Sequence, residues 1–374
     1  MEESILQLPN KKISVSVCFA LAGSLLLFFC TSFPDQAILS AAALTMPKQA
    51  AGVFYSSYLE ENHSQEILPP SEGQTEQTSV NHFLGEDHIE SSSKIPLPLL
   101  EESQRDGRIY AETLKFSPSS SILSFGSGLI RNDTLLKSDK VINLAKMVPE
   151  FSLDLSSDQP QVLIFHTHAT ESYDLYDCGY YPKNASARSD NKEQNMIAVG
   201  KAICAQLEKA GIAYIHDQRL YDSPSYNGSY QRSGAAVEAY LKEYPSIQVV
   251  LDIHRDAAYA DDGGWRKFVS QINGRTAAQI MIISGCENGE LGNPNWDQNL
   301  RFAARLQDQL ESDWPGLTRP LYFCYRNYNQ HLSPGALLIE MGTHGNALHE
   351  AVYSGELLGK SLASLLEKLE KTQE

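Results

Sequence analysis

From Gln161 to the carboxyl terminus, apolar residues alternate between short solid blocks and segments in which they recur every three to four positions. The first block, Val162-Leu163-Ile164-Phe165, reads as a strand with no polar face, as expected where both faces are covered. Between Asn195 and Leu207, the residues Met196, Val199, Ile203 and Leu207 fall at helical spacing, and Gly211 marks the helix end. The alternation then repeats. Ile212–Ile215 predicts a strand, Tyr230–Leu241 a helix, and Ile247–Ile253 a strongly apolar strand. Ile280–Ser284 and Leu321–Tyr325 predict two more strands with a helix over Asp297–Leu310 between them, and Ala336–Ile339 predicts a last strand. A carboxyl-terminal helix follows, carrying Leu357, Leu358, Leu362, Leu365 and Leu366. Strands alternating with helices predict an α/β domain over residues 161–374, with a mostly parallel mixed sheet flanked by helices on both faces.

Upstream the pattern changes. Over Ile109–Leu155 it is broken by the turn-forming Ser117-Pro118-Ser119-Ser120-Ser121, so residues 109–160 form a lead-in without assigned elements. From Tyr55 to Arg108 the chain is rich in Glu, Ser, Gln and Pro and poor in large apolar clusters, which cannot offset the loss of chain entropy. Residues 35–108 are therefore expected to be a disordered linker. Lys11 and Lys12 precede an uncharged run from Ile13 to Pro34, long enough to span a bilayer as a helix. Residues 13–34 are thus expected to be a transmembrane anchor. Residues 1–12 would then be a short cytoplasmic tail held by its lysines, leaving the rest of the chain extracytoplasmic. Ser40-Ala41-Ala42-Ala43 leaves a cleavable signal peptide as the alternative, although the run is longer than the usual apolar region of about 7–15 residues in such peptides.

The net charge of −16 argues against nucleic acid as a partner, because binding phosphates requires a basic face. Of six cysteines, Cys18 and Cys30 lie in the apolar run, while Cys178, Cys204, Cys286 and Cys324 show no Cys-x-x-Cys spacing. They read as small apolar residues, with a Cys178 disulfide as the alternative in an oxidising exterior.

Three of the predicted strands end on reactive side chains. Val162–Phe165 runs into His166-Thr167-His168-Ala169-Thr170-Glu171, Leu251-Asp252-Ile253 into His254-Arg255-Asp256, and Leu338-Ile339 into Glu340. If these strands are parallel neighbours, their carboxyl ends share one sheet edge, which is where open α/β sheets bind ligands. Zinc in hydrolases takes three protein ligands from His and carboxylate and keeps a fourth position for water. His168, Glu171 and His254 are the candidate ligands and Glu340 the candidate general base, an arrangement suited to amide hydrolysis. A carboxylate closing a buried strand, as Glu340 does, loses solvation unless a cation or donor meets it. His166, two residues before His168, reads as a donor supporting the site. Glu193, at the front of the first helix, rivals Glu171 as third ligand, because the helix start returns toward the same edge. For each single histidine the plain alternative is a hydrogen-bonded structural residue. His331, His344 and His349 lie near the last strand, where His344 is either a substrate contact or a solvent-facing ring.

The segments Thr167-His168-Ala169-Thr170-Glu171-Ser172-Tyr173, Asp252-Ile253-His254-Arg255-Asp256-Ala257 and Asn327 to Gly342 resemble the stage II sporulation protein P family. The resemblance runs from about Gln161 to the last helix, with Asn195-Met196-Ile197-Ala198-Val199-Gly200 and Asn293-Pro294-Asn295-Trp296-Asp297-Gln298-Asn299-Leu300 in support. It implies the fold of the zinc-dependent N-acetylmuramoyl-L-alanine amidases, a six-stranded mixed sheet with helices on both faces. It also implies a membrane-anchored enzyme of endospore formers, on the mother-cell side of the septum, acting during engulfment of the forespore. Its implied substrate is peptidoglycan, cut at the amide between muramic acid and the stem peptide and at peptide cross-links. The implied partners are the lytic transglycosylase stage II sporulation protein D and a membrane protein that scaffolds the engulfment complex. Position by position, the resemblance supports His168, His254 and Glu340. Glu171 matches as His-x-x-Glu, but the wider amidase group places its ligand Glu after a longer gap, which keeps Glu193 open. His331 stands where the family pattern has Asp, and Thr343-His344 is a second departure.

Two readings compete with a zinc amidase and endopeptidase. A catalytically silent wall-binding scaffold would have no need to keep His168, His254 and Glu340 together. A secreted zinc carboxypeptidase is suggested by His-x-x-Glu with a distant His, and its carboxylate clamp would be Arg255.

Overall fold

A computed structural model describes residues 97–373. The apolar blocks form the middle of an eight-stranded sheet. In chain order its strands are β2 (Ile122–Phe125), β3 (Gly128–Asp133), β4 (Val162–Phe165), β6 (Tyr214–His216), β7 (Val249–Asp256), β10 (Ile280–Gly285), β11 (Leu321–Cys324) and β12 (Gly335–Thr343), with spatial order β2-β3-β11-β10-β12-β7-β4-β6. The neighbours β12, β7, β4 and β6 are mutually parallel, so their carboxyl ends lie on one edge. Register places Phe165 beside Asp252 and His254 beside Glu340. β10 and β12 are antiparallel, and β2 and β3 form an antiparallel hairpin.

Every residue of β4, β7 and β10 is buried, because helices cover both faces of this sheet. The larger core lies under α1 (Ser138–Ala145), α2 (Met196–Lys209), α4 (Trp296–Asp313) and α5 (Leu348–Gln373), joined by Ile164, Leu251, Ile282 and Ile339 from the strands. The opposite face takes α3 (Ser229–Glu243), whose Val237 and Tyr240 meet Leu163, Phe165 and Val250. Burying a large aliphatic side chain contributes about 1.5–3 kcal/mol, and the buried leucines of α5 at Leu357, Leu358, Leu362 and Leu366 make that helix the main cover. α2 starts where it does because the Asn195 side chain accepts a hydrogen bond from the Ile197 N–H at 3.0 Å. It ends at Gly211, which takes a left-handed φ of 73° that other residues disfavour. α5 comes close to α2 through Gly359, where a Cβ would lie 2.7 Å from the Ile203 carbonyl oxygen.

A second, four-stranded sheet was not anticipated. It has the order β5-β1-β8-β9, from β1 (Arg105–Glu112), β5 (Tyr180–Pro182), β8 (Trp265–Ile272) and β9 (Arg275–Ala278), and is itself mixed. β1 begins inside the stretch read as linker, and β2, β3 and α1 lie in the unassigned lead-in.

The expected fold class is therefore corrected. The α/β character holds, but with two mixed sheets in place of one, and no helix among the described residues is long and apolar enough to cross a membrane. The expected anchor at residues 13–34, and the cell-membrane localisation built on it, find no support in that helix set; the run itself lies outside the described residues. Cys178, Cys204, Cys286 and Cys324 are free thiols, and all but Cys178 are buried.

Candidate active site

β4 ends at Phe165, and the chain turns over the edge formed by the carboxyl ends of β7 and β12. Asp252 secures that turn. Its carboxylate accepts the Thr167 N–H at 2.8 Å and the Thr167 hydroxyl at 2.6 Å, and lies 2.8 Å from His254 Nε2. The other ring nitrogen of His254, Nδ1, faces Glu171 Oε2 at 3.6 Å. Glu171 is held in place by the Arg255 N–H, which donates to Oε2 at 3.1 Å. The His168 and His254 rings meet edge to face with centroids 5.2 Å apart, and Tyr226 stacks on His168 at 4.4 Å. Asp222 backs His168, its carboxylate 3.8 Å from Nδ1. Glu340, beside His254 in the sheet, carries a buried Oε2 with no hydrogen-bond partner among the described residues. His168, Glu171, His254 and Glu340 thus come together from three strand ends.

Charge is unevenly balanced here. Glu171, Asp222, Asp252, Asp256 and Glu340 bring five carboxylates against the guanidinium groups of Arg188, Arg255 and Arg319, a surplus of two negative charges. Protons fill the deficit. Burial opposes charging His254, but Asp252, Glu171 and Glu340 outweigh it and raise the imidazole to about 10. Burial, with Asp256 and Glu171, pushes the Glu340 carboxyl well above its usual range despite His254 and Arg319. Glu171 goes the other way: burial would raise it, but Arg255, His254, His168 and Arg188 hold it below the ordinary range. Both shifts favour the protonated forms of His254 and Glu340, which offsets the negative surplus.

The remaining candidates fall into different places. His166 is fully buried, its Nδ1 3.0 Å from the Ile253 carbonyl oxygen and its Nε2 2.9 Å from His216 Nε2, so it meets backbone and a second histidine. Arg255 is spent inward, donating from Nε to the Ser172 carbonyl at 3.2 Å and from Nη2 to the Ala187 carbonyl at 2.7 Å. That leaves it poorly placed to clamp a substrate carboxylate, as a carboxypeptidase would need. Glu193 stands apart from the cluster, with 70% of its side chain exposed and paired to Lys201. His344 is neither exposed nor hydrogen-bonded through its ring among the described residues; it packs against Tyr259 and Trp265. Among the described residues, the trio whose donor atoms all lie within 4.8 Å of one another is Asp177, His349 and Glu350, and not His168, Glu171 and His254. Lys267 Nζ already lies 2.7 Å from Asp177 and 2.8 Å from Glu350 there.

Sequence reasoning missed Asp222, Asp252, Tyr226 and His216. One signal was available: Tyr214–His216 ends on His216-Asp217, a fourth strand closing on polar groups. Asp222 and Tyr226 had none, since they reach His168 from an irregular loop.

The stage II sporulation protein P family matches residues 48–363. The chain belongs to that family. A curated relative, stage II sporulation protein P of Bacillus subtilis (strain 168), is 28% identical over 206 residues, covering 52% of this chain and 48% of its own length. The chain thus spans about half the length of the curated relative it matches. Among solved structures, the N-acetylmuramyl-L-alanine amidase Ami1 of Mycobacterium smegmatis is similar at 12% identity and a TM-score of 0.34, over 56% of this chain and 97% of that one. The N-acetylmuramoyl-L-alanine amidase of Clostridium difficile 630 is similar at 15% identity and 0.34, over 58% and 100%. The CwlD amidase of Clostridioides difficile, solved with the GerS lipoprotein, is similar at 11% identity and 0.37, over 57% and 99%. Each is a likeness of chain trace alone.

Proposed function

We propose that this member of the stage II sporulation protein P family is a zinc-dependent peptidoglycan hydrolase that cuts the amide between N-acetylmuramic acid and L-alanine, and peptide cross-links, during engulfment. One observation carries the proposal: His168, Glu171, His254 and Glu340 converge in a buried cluster with a surplus of two negative charges. Two imidazoles and a carboxylate are the donor set of hydrolytic zinc, and a dication would balance the surplus of negative charge around them. His168, Glu171 and His254 would be the ligands. Asp252 beside His254 Nε2 and Asp222 beside His168 Nδ1 are the outer carboxylates that orient ligating imidazoles. When bound, zinc would polarise the scissile carbonyl and activate a water.

Glu340 is the proton carrier in this scheme. Its Oε2, which no described donor meets, takes a proton from the attacking water and returns it to the leaving amide nitrogen. A carboxyl raised by its surroundings is suited to both halves of that transfer. Partnership with stage II sporulation protein D and an engulfment scaffold rests on the family resemblance.

The test is release of free stem peptides from purified sacculi by the full chain. Activity should vanish with a chelator, return with Zn2+, and be lost in His254→Ala. Unchanged activity after chelation, or in that variant, overturns the zinc assignment.

A further inference from the structure

We infer that His216, acting through His166, is a positioning residue for the candidate metal ligand His254; the inference rests on the zinc assignment proposed for this site. It starts from a gap in the sheet. The Val249 N–H bonds the Gln161 carbonyl, so odd-numbered residues of β7 turn their backbone groups toward β4. β4 stops at Phe165, opposite Asp252, so the Ile253 carbonyl has no further β4 residue to pair with. A buried carbonyl must be met by some donor. His166 supplies it through Nδ1, at 3.0 Å.

That bond settles the protons on both rings. A carbonyl only accepts, so His166 Nδ1 carries the hydrogen. With its hydrogen on Nδ1, a neutral His166 ring offers Nε2 as an acceptor. The atom 2.9 Å from that Nε2 is Nε2 of His216, which therefore carries a hydrogen and donates. Burial holds the His216 imidazole well below its usual range, which suits a neutral ring that donates through Nε2. The relay runs from His216 N–H to His166, and from His166 N–H to the oxygen of the peptide bond that leads into His254. Asp252 holds the His254 ring while His166 holds its backbone. α2 leaves room for the relay by having Gly200 against it: a Cβ there would lie 2.5 Å from His216 Nε2 and 2.7 Å from His166 Nε2.

The test uses the full chain. A glutamine at 216 can place an amide N–H near the imidazole Nε2 position, whereas an asparagine, equally polar, is one methylene too short. Zn2+ affinity measured by competition with a chromogenic chelator should fall about tenfold in His216→Asn, the lower end of what loss of an outer partner costs, and stay within about threefold of the natural protein in His216→Gln. Equal affinities in the two variants overturn the positioning role. Nitrogen-15 NMR of the unmodified protein reads the tautomers directly and depends on no variant folding: Nδ1–H at His166 and Nε2–H at His216 are expected, and an Nε2–H tautomer at His166 overturns the relay. If the natural protein takes up no Zn2+ while the tautomers are as expected, the zinc assignment fails and the relay stands as a structural device without a metal to position.

Discussion

Replacing Gly200 by alanine sets two effects of known size against each other. Gly200 lies inside α2, where alanine should gain about 1 kcal/mol from helix propensity. If nothing else mattered, the variant would be the more stable protein. The added Cβ, however, would lie 2.5 Å from His216 Nε2, 2.7 Å from His166 Nε2 and 2.8 Å from His166 Cε1. These atoms belong to rings held by hydrogen bonds on a buried face, so they cannot swing aside as the end of a flexible side chain would. Overpacking of this kind costs about 1–3 kcal/mol, and separating the rings leaves a buried imidazole nitrogen unmet at about another 1–3 kcal/mol. Crowding should win by about 1–5 kcal/mol, lowering Tm by several degrees in a domain of this size. Thermal unfolding followed by circular dichroism at 222 nm, a wavelength that reads helix, decides the matter. A Tm equal to or above that of the natural protein would show that the histidine pair is not held as described.

Other outcomes follow from the same geometry. Glu340→Gln should keep its zinc while turnover falls by about 10²–10⁴-fold, the usual contribution of a positioned proton carrier; turnover within tenfold of the natural protein refutes that role. Because its surroundings raise the Glu340 carboxyl, ionising it costs the fold stability above its folded pKa and nothing below the ordinary carboxyl range. Chelator-treated Glu340→Gln should therefore gain in Tm over the natural protein by an amount that grows as the pH rises above the ordinary carboxyl range, whereas a flat difference contradicts the shift. Metal analysis should find zinc lost in the alanine variants of His168, Glu171 and His254 and kept in Glu193→Ala; the reverse result at the two glutamates would transfer the ligand role. Lys267→Met leaves Glu350 and Asp177 facing each other without their cation, and since the lysine and Glu350 are nearly buried the loss should be about 3 kcal/mol in urea unfolding. A change below about 1 kcal/mol would mean that water or a metal ion readily replaces the ammonium.

The regular elements that were legible share one property, a buried face wide enough to impose its period on the residues. α2, α3 and α4 differ from the expected ranges by at most three residues at either end. β7 and β12 ran longer than their apolar blocks, through His254-Arg255-Asp256 and through Glu340 to Thr343, because the sheet pairing continues there and Asp252 and Arg319 meet the polar end of β7 at His254 and Asp256. The second sheet left little trace. In β1 only Ile109 is buried, and β8 mixes Arg266, Lys267 and Gln271 among its packed residues. The β2–β3 hairpin had a readable signal in Gly126-Ser127, with glycine at the left-handed first corner of a two-residue turn. The strands flanking that turn are short and weakly apolar, so no hydrophobic alternation frames it.

The local pattern was enough to place His168, Glu171, His254 and Glu340 at strand ends, since a block of apolar residues followed by charged ones marks where a buried strand leaves the core. It favoured His168 over His166 as the ligand, but what two rings two residues apart actually meet depends on surroundings that no local pattern holds. Tertiary structure separated them: the early end of β4 left the Ile253 carbonyl for His166, while Tyr226 and Asp222 arrived against His168 from a loop beyond β6. The same holds for Glu171 and Glu193, whose spacing made them rivals and whose burial now sets them apart. Charge balance was also beyond reach in one dimension, for the surplus around His254 depends on Asp252, Asp256 and Arg319 meeting across strands that contact only in the folded sheet.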